Sequence, residues 1–124
     1  METLKLSQLR HTWILDLDGT LVEHNGYYYG EDKLLSGTKE FLDSIPKNDY
    51  ILILTAREPE AKEKTIEFLK KNNIRYNNII FDVPMGERIL INDDKPSGLK
   101  CAFAIQPKRN DGLGSLKIEI DESL

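Results

Sequence analysis

Two aspartates one residue apart, Asp16 and Asp18, follow the apolar run Trp13-Ile14-Leu15 and directly precede Gly19. Side chains alternate along a strand, so both carboxylates start out on the same side. Two full charges about 7 Å apart repel by roughly 2 kcal/mol at an effective dielectric of about 20. A divalent cation, a shared proton, or both must relieve that repulsion. Gly19 can adopt backbone angles closed to other residues, which lets the chain turn after Asp18 and leaves the carboxylates at the strand's exposed end. An isolated Asp-x-Asp is more often a strand running into an acidic turn. Here Thr55 and the pair Asp93-Asp94 also stand at the ends of apolar runs, and that conjunction favours a site.

The elements that position these residues read as alternating strands and helices. Residues 12–17 form the first clear strand, and the continuously apolar run 50–54 reads as a strand covered on both faces of a parallel sheet. Between them, Phe41, Leu42 and Ile45 have the spacing of a helix that starts near Ser36-Gly37 and stops at Pro46. A second helix opens at Glu58-Pro59-Glu60, presents Ala61, Thr65, Phe68 and Leu69 inward, and ends at Asn72-Asn73. Shorter strands are expected at 79–81, 88–92 and 100–105, with an edge strand or docked tail at 116–120. Residues 1–10 form an extended arm or a helical turn covering the sheet, and about 23–35 form a short flap or hairpin with three tyrosines between glycines. The alternation predicts an α/β architecture in one domain, 1–124: a parallel sheet between two helical layers, with ligands bound beyond the carboxyl ends of the strands.

Composition narrows the function classes. A chain of 124 residues can bury a core without disulfides or a structural metal, and its single cysteine, Cys101, allows no intrachain disulfide. A net charge of −4 with interspersed basic residues excludes a long nucleic-acid surface, though a small nucleotide end remains compatible. The apolar runs are too short to span a bilayer and the first residues lack a signal peptide's apolar stretch, so a soluble, cytoplasmic protein without a membrane partner is expected.

Asp16-Leu17-Asp18-Gly19-Thr20-Leu21-Val22, the strand end Leu54-Thr55-Ala56-Arg57 and Ile91-Asn92-Asp93-Asp94 resemble the first, second and fourth motifs of the haloacid dehalogenase superfamily of phosphohydrolases. The short insert after the first motif resembles the branch without a cap domain. Within it, the Asn-Asp-Asp-Lys-Pro segment and flap are similar to small bacterial phosphatases associated with surface-polysaccharide functions. The resemblance implies a three-layer Rossmann-like fold and a two-step transfer. Asp16 would attack phosphorus and carry an aspartyl-phosphate, and Asp18 would protonate the departing oxygen and then take a proton from the attacking water.

Mg²⁺ would be held by the Asp16 carboxylate, the Asp18 backbone carbonyl and Asp93, with Asp94 either a direct ligand or a support for one. Thr55 would hold a phosphoryl oxygen, with Gly19, Thr20 and Ala56 lining the phosphate position. The family's phosphate-neutralising lysine is missing from its usual place. Arg88 is the first choice for that role and Lys95 the second. Arg57, Tyr27 and Tyr28 are candidate substrate contacts, as are Lys108 and Arg109, with solvated surface charge the competing reading for the cations.

Three rivals from other classes share some of these residues. A phospho-receiver module would carry its phosphoacceptor mid-chain and its lysine late, whereas here the second acid pair comes late. A nucleotide-sugar transferase would need a larger donor-binding domain. A fold that has lost catalysis and only binds partners would account for the missing lysine. Without a cap the site is open, so selectivity must come from the flap, a second copy of the chain, or the substrate itself. A sugar phosphate is the expected substrate, with a nucleotide or a 3′-phosphorylated nucleic-acid end as the alternative.

Overall fold

A computed structural model describes residues 2–124; Met1, the first residue of the expected arm, lies outside the described residues. Its architecture is mixed α/β with two small parallel sheets. Strands β2 (Thr12–Asp16), β3 (Tyr50–Leu54) and β4 (Asn78–Ile80) form a parallel sheet in that order. Helix α1 (Thr38–Ser44) lies in the connection from β2 to β3, and α2 (Lys62–Lys71) in the connection from β3 to β4. The arm is β1 (Glu2–Leu6), paired in parallel with β5 (Leu116–Ile120) in a separate two-stranded sheet.

Local chemistry sets the helix limits. Ile45 is extended at ψ 134° because it precedes Pro46, which closes α1. The Arg75 guanidinium then donates to the carbonyls of Leu42, Ile45 and Pro46, placing positive charge where the helix leaves unpaired carbonyls. A 3₁₀ turn, Pro59–Ala61, leads into α2, which carries Glu63 early and Lys70 and Lys71 late. Asn73, at φ 53°, turns the chain out of it in the left-handed region.

The register pairs Trp13 with Ile51, Leu15 with Ile53, and Asp16 with Leu54. Trp13, Leu15, Ile51, Ile53 and Ile79 face the core, where Phe41 and Leu42 of α1 and Leu69 of α2 close over them. Ile51, Ile53, Leu42 and Leu69 are completely buried. Both helices thus cover one face of the sheet. The opposite face carries Ile14 and Ile80, which are 48% and 43% exposed. Helices on both faces are not confirmed, since among the described residues α1 and α2 are the α-helices and the remaining helical segments are single 3₁₀ turns.

Residues 88–92 and 100–105 differ from the sequence reading as well. Neither forms a strand, and Ile89, Leu90 and Ile91 are exposed in irregular chain. A strand-prone run becomes a strand only when a neighbour accepts its backbone hydrogen bonds, and these runs have none. The outer edge of β2 is correspondingly open, because the sheet ends there. Among the described residues, no helix is long and apolar enough to cross a membrane.

Candidate functional site

The register fixes the rim. Asp16 ends β2 opposite Leu54, so Thr55 follows one residue beyond on the adjacent strand. After Leu17 the chain turns tightly: the Leu17 carbonyl accepts from the N–H groups of Thr20, Leu21 and Val22, and the Gly19 N–H donates to the Val22 carbonyl at 2.7 Å. Gly19 sits at φ 85°, which favours glycine, and its own carbonyl accepts from the Asn110 N–H. The 108–111 loop is thereby tied to the turn that carries Asp18, with the Arg109 side chain lying against Gly19. Asn110 also accepts the His24 backbone N–H at 2.8 Å.

Each rim aspartate is engaged by an arginine. Asp16 accepts from Arg88 at 2.8 Å on Oδ1 and from the Thr20 hydroxyl at 3.1 Å on Oδ2. That pair is open to water, with side-chain exposures of 35% and 40%. Asp18 is bound at both oxygens by Arg57, at 3.0 and 2.8 Å. Arg57 is buried, contrary to the reading of a solvated charge, and Asp32 of the flap grips its other edge at 3.0 and 2.7 Å. Its remaining N–H donates to the Thr65 hydroxyl of α2 at 2.8 Å. Burial works against the guanidinium charge, but its hydrogen bonds to the Asp18 and Asp32 carboxylates outweigh that and hold Arg57 above its ordinary range.

The flap lies over this cluster. A bridge between Val22 and Leu34 and a hydrogen bond from the Glu23 N–H to the Lys33 carbonyl close its base, as in a hairpin. A 3₁₀ turn, Gly26–Tyr28, puts the Tyr27 ring 3.9 Å from the Arg57 guanidinium carbon. Burial, with Tyr28 and Glu58 nearby, pushes the Tyr27 phenol above its ordinary value, so it is a neutral ring at physiological pH. Tyr28 packs on Tyr27 at 4.2 Å and is exposed. A cleft of about 640 Å³ runs between the flap and α2, lined by Tyr27, Asp32, Arg57, Lys64, Thr65 and Phe68 among others.

The residues singled out in the sequence therefore separate into two groups. Asp16, Asp18, Gly19, Thr20, Thr55, Ala56, Arg57, Tyr27 and Arg88 occupy the carboxyl ends of β2 and β3 or touch the residues there. Thr55 is buried, and its hydroxyl oxygen accepts the Arg57 N–H at 3.1 Å. Arg57 has all its N–H groups engaged, so in this arrangement it has no donor left for a substrate. Asp93, Asp94 and Lys95 lie exposed on the irregular chain beyond 88–92. Among the described residues no three acidic, imidazole or thiol groups are gathered where they could hold a metal ion. Asp32 was missed by the sequence reading: a single acid in a flap leaves no periodic trace of its partner on another strand.

No family model matches the chain, and no curated protein and no solved structure matches it.

Proposed function

We propose that the chain is a phosphomonoesterase of the haloacid dehalogenase type, acting through an aspartyl-phosphate on Asp16. The observation that carries this reading is the rim: Asp16, Asp18 and Thr55 stand at adjacent strand ends, with a guanidinium 2.8 Å from the Asp16 carboxylate. The exposed Asp16 is the carboxylate able to reach a substrate. Its oxygen attacks phosphorus as the phosphorus–oxygen bond to the leaving group breaks, and Asp18 supplies the proton that the departing alkoxide needs. Water then attacks the acyl phosphate, Asp18 takes back a proton, and inorganic phosphate leaves. Arg88 neutralises charge on the phosphoryl oxygens. Asp18 accepts from Arg57 on both oxygens, so the proton it carries sits on a lone pair that Arg57 does not use or displaces one of those hydrogen bonds.

Mg²⁺ belongs to this reading as the charge that offsets the carboxylates and the phosphate. The Asp16 carboxylate and the Asp18 backbone carbonyl would hold it, with Asp93 as the proposed further acidic ligand; Asp93 lies on the exposed chain beyond 88–92 and would have to move to the rim. The substrate proposed is a sugar phosphate, with its phosphoryl group at Asp16. The test is a panel of sugar phosphates, nucleotides and 3′-phosphorylated oligonucleotides, assayed with Mg²⁺ and again with excess chelator. Release of phosphate that needs Mg²⁺ and favours sugar phosphates is expected. Full activity in chelator contradicts the metal, and an oligonucleotide preference replaces the substrate.

A further inference from the structure

We infer that Asp32 is a positioning residue for Asp18, acting through Arg57, so that the flap and the rim move as one unit; this rests on the proposed role of Asp18. A guanidinium has five N–H donors in one plane. All five are used here: two on Asp18, two on Asp32 and one on Thr65. The Thr65 hydroxyl is free to accept because its own proton goes to the Ala61 carbonyl at 2.7 Å. Asp32 and Thr65 therefore set the plane and rotation of the fork from one side, and the edge left over faces Asp18. Tyr27 lies against the guanidinium at 3.9 Å.

Both Asp32 oxygens accept from Arg57, so its carboxylate is committed to the guanidinium in this arrangement. Its side chain is 7% exposed and that of Arg57 2% exposed. Without Asp32, two buried N–H groups lose their acceptors and the fork must turn toward others or toward water. Asp18, bound at both oxygens, turns with it. Misplacing an acid–base group by about 1 Å can cost about 10²-fold in turnover.

The test compares the wild-type chain with Asp32→Asn, Thr65→Val and the flap control Glu31→Gln. Amide hydrogen exchange is read in 23–34 and 55–58, and p-nitrophenyl phosphate hydrolysis is measured with Mg²⁺. Asp32→Asn is expected to raise exchange in both segments and to lower kcat about 10- to 100-fold with KM within about 2-fold. Thr65→Val, the milder change, is expected to lower kcat about 3-fold in the same pattern and keeps the test open if Asp32→Asn does not fold. Glu31→Gln is expected to match the wild type. Wild-type exchange in 55–58, or raised exchange with unchanged kcat, overturns the inference. A wild-type chain that hydrolyses nothing sinks the proposed function, and exchange in 55–58 then decides alone whether Asp32 holds Arg57.

Discussion

Replacing Arg57 by lysine probes the centre of the site while keeping its charge. The guanidinium makes five hydrogen bonds, four of them to carboxylates, and an ammonium has three donors. At least two of the five bonds, each made by a charged donor, are lost, at about 1.5–3 kcal/mol each, so the expected destabilisation is about 3–6 kcal/mol. Arg57→Met leaves Asp18 and Asp32 buried without a counter-charge and costs at least as much. Small domains are stable by only about 5–15 kcal/mol, so either variant is expected to approach the limit of folding. The side chains of Asp18 and Asp32 are 16% and 7% exposed, so added salt is expected to screen the effect only weakly. Urea unfolding at neutral pH, at low and high salt, measures both. A loss for Arg57→Lys within about 0.5 kcal/mol, as for an ordinary surface change, refutes the buried fork.

Three further outcomes follow from other parts of the molecule. Asp49 is buried and accepts from Trp13 Nε1 at 2.9 Å, from the His11 backbone N–H at 3.0 Å, and from His11 Nδ1 at 2.7 Å. Burial opposes its charge, but the donors prevail and hold it below the ordinary carboxylate range, so its stabilisation is full above the unfolded-state pKa and lost as pH falls through the lower folded value. Asp49→Ala is expected to cost about 2–4 kcal/mol at neutral pH, from the stranded Trp13 Nε1–H and His11 backbone N–H, and to flatten the acid limb of a stability–pH curve; an unchanged acid limb contradicts this. Gly112→Ala is expected to lower the melting temperature, because φ 77° is left-handed and a Cβ there meets the Ser36 carbonyl; an unshifted melting curve contradicts that packing. Arg88→Ala is expected to change stability by no more than about 1 kcal/mol, as an exposed pair should, yet to cut phosphatase turnover, whereas Lys95→Ala leaves turnover high; the reverse ranking moves the cation role to Lys95.

The strands and helices nearest the site were legible because short-range patterning decides them. Residues 50–54 form β3 as read, 12–17 shortens by one residue to β2, and α1 and α2 end at Pro46 and Asn72-Asn73 as expected. The aspartate pair at a strand end with Thr55 beside it followed from the same patterning. What the sequence hid is long-range. Leu4 and Leu6 are too few to show that the arm pairs with 116–120, and Leu116 and Ile118 do not name a partner. Arg57 and Asp32 are 25 residues apart, so nothing local distinguishes their buried pair from two surface charges. Residues 88–92 fail in the opposite direction: their composition favours a strand, but the β2 edge that could accept them is unpaired.

The most direct measurement asks where the phosphoryl group goes. The chain is incubated with Mg²⁺ and a hydrolysed phosphomonoester, quenched in acid, digested and examined by mass spectrometry. One added phosphoryl group on the peptide containing Asp16, absent in Asp16→Asn, is the predicted result. Turnover by the wild type with an equal rate in Asp16→Asn, or phosphorylation at any other residue, contradicts the account.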